Sequence, residues 1–500
     1  MAAFPIPNFN KDFSLGIDIS GSTALAPSPD GTYFAFSGKG RNYALNIASY
    51  ISYYSIFVGL VNKDGSLGWI RQMIEIYGDS YSPSIALGNS NDLYLAFVTT
   101  GAVPGFANGI TYPPAPGALP PYGNADVVLS RINTTSQTVS WVIQGAGING
   151  PSNETVPQLA IDTTYGWIYL AYQSSGNINP YEAVGKTNII LSCFNTIVST
   201  PPGFAVWTSG LQAGFQQDYI NCTDYNKNPS IVTDNAGSVY LAYEVTAQTP
   251  NGAPVQQQQI EVVKFTTTNI STPSEPFYVG QYQWTLSSNG VNLFVTNGMS
   301  SQPHLSYWNT TLYLSFLTSG TIPEATKTSS SNDIVVAAFR TNGVLRWAIQ
   351  GLTNCCPQKY YDVYSVSSCA DEHGIPYIVA VVRKFGSRDS VLVWKLNQAN
   401  GTAIWVYGFA LTDGKNAVWP SVSYEFTTLS IAAMQNIFYL GYTTLDPLSQ
   451  TTADGKPLHY VGISGFSQRR YADTMTAYNY ITSLASGCKC SDDQCGCSTT

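Results

Sequence analysis

A tyrosine-led apolar tetrad recurs seven times along the 500-residue chain, and this repeat constrains the fold more than any other feature. The copies are Tyr33-Phe-Ala-Phe36, Tyr94-Leu-Ala-Phe97, Tyr169-Leu-Ala-Tyr172, Tyr240-Leu-Ala-Tyr243, Tyr313-Leu-Ser-Phe316, Tyr377-Ile-Val-Ala380 and Tyr439-Leu-Gly-Tyr442. Their leading tyrosines lie 61 to 75 residues apart. That period accommodates four strands and their loops, and self-similarity at such a period signals a repeat architecture.

Each tetrad reads as the second strand of a four-stranded unit. Before it stands a strand led by Pro83, Pro157, Pro229 or Pro303, with Ser22 in the first copy, Val366 in the sixth and Pro420 beginning the last. Proline at the first residue of a strand gives up no ladder bond. After the tetrad comes an apolar third strand, such as Asp333-Ile-Val-Val-Ala337, and then a fourth marked by Trp69, Trp141, Trp207, Trp284, Trp347 or Trp405. In the fifth unit Asn342-Gly343 supplies the turn of a two-residue hairpin between these strands. The seventh unit lacks a tryptophan strand, and Phe13–Ile17 at the N-terminus is placed to fill that role.

The expectation is therefore an all-β, seven-bladed β-propeller of four-stranded antiparallel blades over residues 1–468, its ring closed by the N-terminal strand. Residues 469–500 form a C-terminal extension with a cysteine-rich tail. Long insertions between second and third strands, at 99–125, 246–258, 318–331 and 444–458, are expected to crowd one face and make it the contact surface.

Charged residues are 10% of the chain against about 25% in ordinary domains, and the net charge is −8. No basic cluster of the kind nucleic acid requires is present, and no apolar run is long enough for membrane insertion. The N-terminus lacks the basic start and apolar stretch of a signal peptide.

Signatures of chemistry are sparse. His304, His373 and His459 have no metal-ligand spacing, and neither a nucleophile elbow nor a phosphate-binding loop occurs. The repeating tryptophans read as packing residues. The expectation is no catalytic residue, no cofactor and no metal site. Cys488, Cys490, Cys495 and Cys497 offer three readings: disulfides or cross-links, a tetrathiolate metal site, or free thiols. Cys355 and Cys356 are adjacent and add a further candidate bridge. Asn133, Asn153, Asn221, Asn269, Asn309 and Asn400 head glycosylation sequons.

Asp234-Asn-Ala-Gly-Ser-Val-Tyr240, with the tryptophan hairpin that follows, resembles the β-propeller repeats called SBBP repeats. That resemblance implies a seven-bladed surface or secreted protein, a kind that also occurs in large viruses. Leu396–Trp405 and Cys355-Cys356 are similar to the docking repeat and vicinal disulfide of quinone-dependent dehydrogenases, which implies a quinoprotein-like oxidoreductase as a lesser alternative.

The resulting expectation is a non-enzymatic structural or interaction module of a virion or extracellular surface. Its partners would be other proteins of an assembly or surface glycans, with homo-oligomeric or disulfide-linked association. A glycan-binding propeller is the main alternative.

Overall fold

The fold was analysed in a computed structural model, which describes residues 5–13, 24–28, 33–41, 54–62, 66–72, 78–89, 92–101, 125–144, 148–176, 187–195, 207–211, 225–248, 254–269, 278–285, 298–322, 332–351, 361–384, 389–409, 429–434, 437–451, 457–468, 489–491 and 494–496. Among these residues all regular structure is β, and no helix is long and apolar enough to cross a membrane.

Strand β1 (Pro5–Phe13) is set aside until the last sheet. The first sheet holds β2 (Ala24–Pro27), β3 (Tyr33–Arg41), β4 (Tyr54–Asn62) and β5 (Leu67–Gln72); the second holds β6 (Ser80–Leu87), β7 (Asp92–Thr99), β8 (Asp126–Asn133) and β9 (Thr138–Ile143). The third comprises β10 (Glu154–Asp162), β11 (Trp167–Ser174), β12 (Asn188–Asn195) and β13 (Trp207–Leu211). The fourth comprises β14 (Tyr225–Thr233), β15 (Ser238–Gln248), β16 (Pro254–Asn269) and β17 (Tyr278–Thr285). In the fifth are β18 (Ser300–Trp308), β19 (Thr311–Thr318), β20 (Asp333–Arg340) and β21 (Leu345–Gln350); in the sixth, β22 (Tyr361–Ala370), β23 (Pro376–Lys384), β24 (Asp389–Leu396) and β25 (Ala403–Phe409). The last joins β26 (Leu429–Met434), β27 (Ile437–Thr451) and β28 (Pro457–Gln468) to β1 at its outer edge. A short hairpin of β29 (Lys489–Ser491) and β30 (Gln494–Gly496) lies outside these sheets.

All pairings are antiparallel meanders, and the first strands of successive sheets lie against one another as the inner strands of a β-propeller. The apolar cores are the seams between sheets. Val58, Leu95 and Val128 fill the first seam, Leu129, Leu170 and Ile190 the second, and Val379, Val393 and Ile431 the sixth. Alternate residues of each buried strand serve opposite seams, so the strands read as continuous apolar runs.

Two devices recur. Opposite Trp69, Trp141, Trp284, Trp347 and Trp405 the ladder slips by one residue, a bulge that breaks up the outer edge of each sheet. The Asp-x-x-Gly-x-x-Tyr motif is a clasped turn. Asp234 Oδ1 accepts the N–H groups of Ala236 and Ser238, both at 2.9 Å, and its Oδ2 accepts the Tyr240 hydroxyl at 3.2 Å. Asp371 repeats this with His373, Ile375 and Tyr377. Gly237 and Gly374 sit at φ 85° and 76°, where a side chain is strained.

Several expected boundaries move. Pro83, Pro157, Pro229 and Pro303 lie inside their strands, at bulges, and do not start them. A bulge, like a strand start, needs no proline N–H, so the sequence could not separate the two. The inner strand of the last sheet is Leu429–Met434, and Pro420 lies outside the described residues. The N-terminal strand that pairs with β28 is Pro5–Phe13, with Phe13 opposite Val461; residues 14–17 lie outside the described residues. Much of 246–258 and 444–458 is strand, with Thr246 opposite Gln258 and Leu445 opposite His459. Ladder bonds continue there among polar residues, beyond where apolar alternation could reveal them.

Candidate functional site at the mouth of the inner strands

At one end of the inner strands, the residue before each of the four prolines adopts a left-handed backbone: Ser82 at φ 50°, Val156 at 50°, Asn228 at 52° and Gln302 at 54°. The ladder slips across each of these residues, and across Tyr364 in the sixth sheet. For the β-branched Val156 this backbone is a true outlier, of the kind that clusters at functional sites. All five side chains are partly open, with Tyr364 43% exposed. A hydroxyl, an isopropyl group, two amides and a phenol thus line the mouth without a formal charge.

A polar relay holds this row across sheets three to six. Gln173 Oε1 accepts the Asn228 backbone N–H at 2.6 Å, and Asn228 Nδ2 donates to Glu244 Oε1 at 2.8 Å. The same oxygen accepts the Gln302 N–H at 2.7 Å, while Gln302 Nε2 donates to the Tyr364 carbonyl at 2.9 Å. Gln258 Nε2 donates to Glu244 Oε2. Glu244 is buried, and these donors replace the water its charge has lost.

Behind the mouth, clasps fix the roots of the connections from second to third strands. Thr99-Thr100-Gly101, Ser174-Ser175-Gly176 and Thr318-Ser319-Gly320 each bond back to the chain entering the inner strand, as in the Thr100 N–H to Asp79 carbonyl bond at 2.9 Å. A Cβ on Gly78 would lie 2.5 Å from the Gly101 nitrogen, so the close approach requires glycine.

Each clasp overlies a lateral row of polar side chains. In the fifth sheet Ser300, Thr318 and Asp333 lie opposite one another on successive strands, and Gln350 Nε2 donates to Asp333 Oδ2 at 2.9 Å. The second sheet repeats this with Ser80, Thr99, Asp126 and Gln144. In the third sheet the row reads Glu154, Ser174, Asn188, so the acid has moved from the third strand to the first. Asp126 Oδ1, Glu154 Oε2 and both amide atoms of Asn188 are buried without a partner among the described residues. Burial pushes the Asp126 carboxyl up to about 6 and Glu154 up to about 8. At neutral pH Glu154 therefore keeps its proton.

The residues singled out from the sequence are scattered. Trp141, Trp347 and Trp405 are buried, with ring centroids 6.1–6.2 Å from Tyr94, Tyr313 and Tyr377 of the same sheets, which bears out packing. His304 lies on an inner strand, and burial lowers it to about 4, leaving it neutral. His373 is exposed beside Glu372. Asn133 and Asn400 use their side chains to cap turns, bonding the N–H groups of Thr135 and Thr402 of their own sequons. Asn153 and Asn309 are exposed in turns, and Asn269 ends β16. Cys490 faces Cys495 across the terminal hairpin. Asn221, Cys355, Cys356, Cys488 and Cys497 lie outside the described residues. The mouth residues were missed, although Gln173 and Glu244 each follow a Tyr-Leu-Ala-Tyr tetrad and Asn228 and Gln302 each precede a recurring proline.

No protein family and no curated protein matches this sequence. Solved structures of similar fold include an ulvan lyase of a polysaccharide lyase family (10% identity, 93% of this chain and 99% of that one, TM-score 0.46). A protein of unknown function from Dyadobacter fermentans (11% identity, 80% and 96%, TM-score 0.40) and the Trypanosoma rangeli sialidase (8% identity, 96% and 59%, TM-score 0.35) are also similar. At these identities the likeness concerns the fold. Against the expectation that the chain is not an enzyme, these neighbours include a sialidase and an ulvan lyase, so that expectation finds no support among them.

Proposed function

We propose that the protein is a glycan-binding β-propeller whose seven sheets close into a ring, with the ligand seated at the mouth of the inner strands. Closure is supported by β1, the N-terminal strand that completes the last sheet, and by the approach of β26 to β2. The observation that carries the binding reading is the row Ser82, Val156, Asn228, Gln302 and Tyr364 at the strand bulges, the first four on left-handed backbone and Asn228 and Gln302 braced by Glu244. Amides and hydroxyls offer the donors and acceptors that sugar hydroxyls need, and a tyrosine gives a flat apolar face with a polar tip.

A glycan array tests this, followed by the Tyr364→Ala variant. The expected result is selective binding that falls at least tenfold in the variant while its melting temperature stays within about a degree. An array without signal, or binding indifferent to Tyr364, would reject the proposed site. Mass analysis of the bound glycan after incubation separates recognition from cleavage.

A further inference from the structure

We propose that this mouth selects acidic glycans, those carrying a uronate carboxylate or a sulfate ester, through Lys227; the inference rests on the glycan-binding reading above. Lys227 is the one Lys or Arg on the seven inner strands. It immediately precedes the strained Asn228, and its side chain is 41% exposed. Its amino group forms an ion pair with Glu244 Oε2 at 3.6 Å, a separation beyond hydrogen-bond distance.

Glu244 takes its hydrogen bonds from other groups. Its two oxygens already accept Asn228 Nδ2, the Gln302 N–H and Gln258 Nε2. The ammonium group, ion-paired with Glu244 without a hydrogen bond to it, has donors to offer to a ligand at the mouth, and a compact point charge suits a monoanionic oxygen group of either source.

The backbone brings further cations to the same end. The second strand of the first sheet ends through Lys39 and Arg41, and that of the sixth ends at Lys384 opposite Tyr361. Among the acids at this end, Asp126, Glu154 and Asp333 are buried beneath the clasps and Glu244 is bonded as above; Asp362 and Asp389 take register positions opposite Arg383. Asp79 is partly exposed, and Asp446 lies opposite Leu458 at the same end of the last sheet. Lys227 is thus the cation that the inner strands themselves bring to a mouth whose five lining side chains carry no formal charge.

The test is an array carrying neutral oligosaccharides, oligouronates, methyl esters of the same oligouronates and sulfated oligosaccharides, probed with the full chain and with Lys227→Gln and Lys227→Arg. The expected outcome is binding of uronates or sulfated sugars at least tenfold above the methyl esters and neutral sugars. In Lys227→Gln that preference should collapse toward the neutral level, with an unchanged melting temperature, and Lys227→Arg should restore much of it. Which acidic set responds identifies the anion. Equal binding of esters and acids, or a preference that survives Lys227→Gln, overturns this inference and leaves glycan binding intact. No binding to any sugar overturns both. A fall in melting temperature with equal loss for every glycan would make Lys227 a structural residue and also overturn it.

Discussion

The third and fifth sheets carry the same polar row beneath the same clasp, yet one is balanced and the other is not. In the fifth, Asp333 stands on the third strand and Gln350 spans it, the Gly320 carbonyl and the Ile322 N–H. In the third, the acid sits on the first strand as Glu154, and Asn188 fills the position equivalent to Asp333 with neither amide atom paired among the described residues. A buried polar group costs little when both halves of its hydrogen bond are present and much when one is missing. The two rows thus differ in whether their buried polar atoms are paired, although both lie beneath the same clasp.

The largest expected effect of this contrast is pH dependence. Glu154 has a folded value near 8 against an ordinary 4.5, so the fold binds its proton more tightly than the unfolded chain does. That contribution is fully present below about 4.5 and is lost as pH rises to about 8, with an upper bound of roughly 5 kcal/mol. Asp126 adds a smaller loss between about 4 and 6. Melting temperatures should fall from pH 5 to pH 8, and Glu154→Gln should flatten the upper part of that slope. A wild-type profile unchanged over this window would mean the third row is not strained.

Next in size, Asp333→Ala should destabilise the protein by about 1–3 kcal/mol, because it strips the buried Gln350 amide of one of its two acceptors. Denaturant midpoints would show it. The smallest effect is expected at the equivalent position: Asn188→Ala should be neutral or stabilising by up to about 1 kcal/mol, since it removes two unpaired buried atoms. Equal losses for the two alanine variants would erase the distinction between the rows.

Much of the fold was legible because its signals are local. The tyrosine tetrads, the fourth-strand tryptophans and the Asp-x-x-Gly-x-x-Tyr turns are each read within one strand or one turn. The site was not. Pro229 shows that an N–H is dispensable, and it does not show that Asn228 adopts φ 52°. Gln173 and Glu244 look like ordinary ends of apolar strands until the next sheet delivers the N–H groups of Asn228 and Gln302 to them. The long strand extensions in the fourth and last sheets were hidden for a related reason, since ladder pairing without burial leaves no periodic trace.

By itself the sequence determined an all-β repeat, the order of its strands and the packing role of its tryptophans, because strand period, turn chemistry and β propensity act between near neighbours. Only the tertiary structure decided where the bulges fall, which carboxylates are braced, and that Lys227 stands alone among the inner strands. Those facts depend on pairing residues tens of positions apart across strands and seams, and that pairing exists only when the sheets have packed.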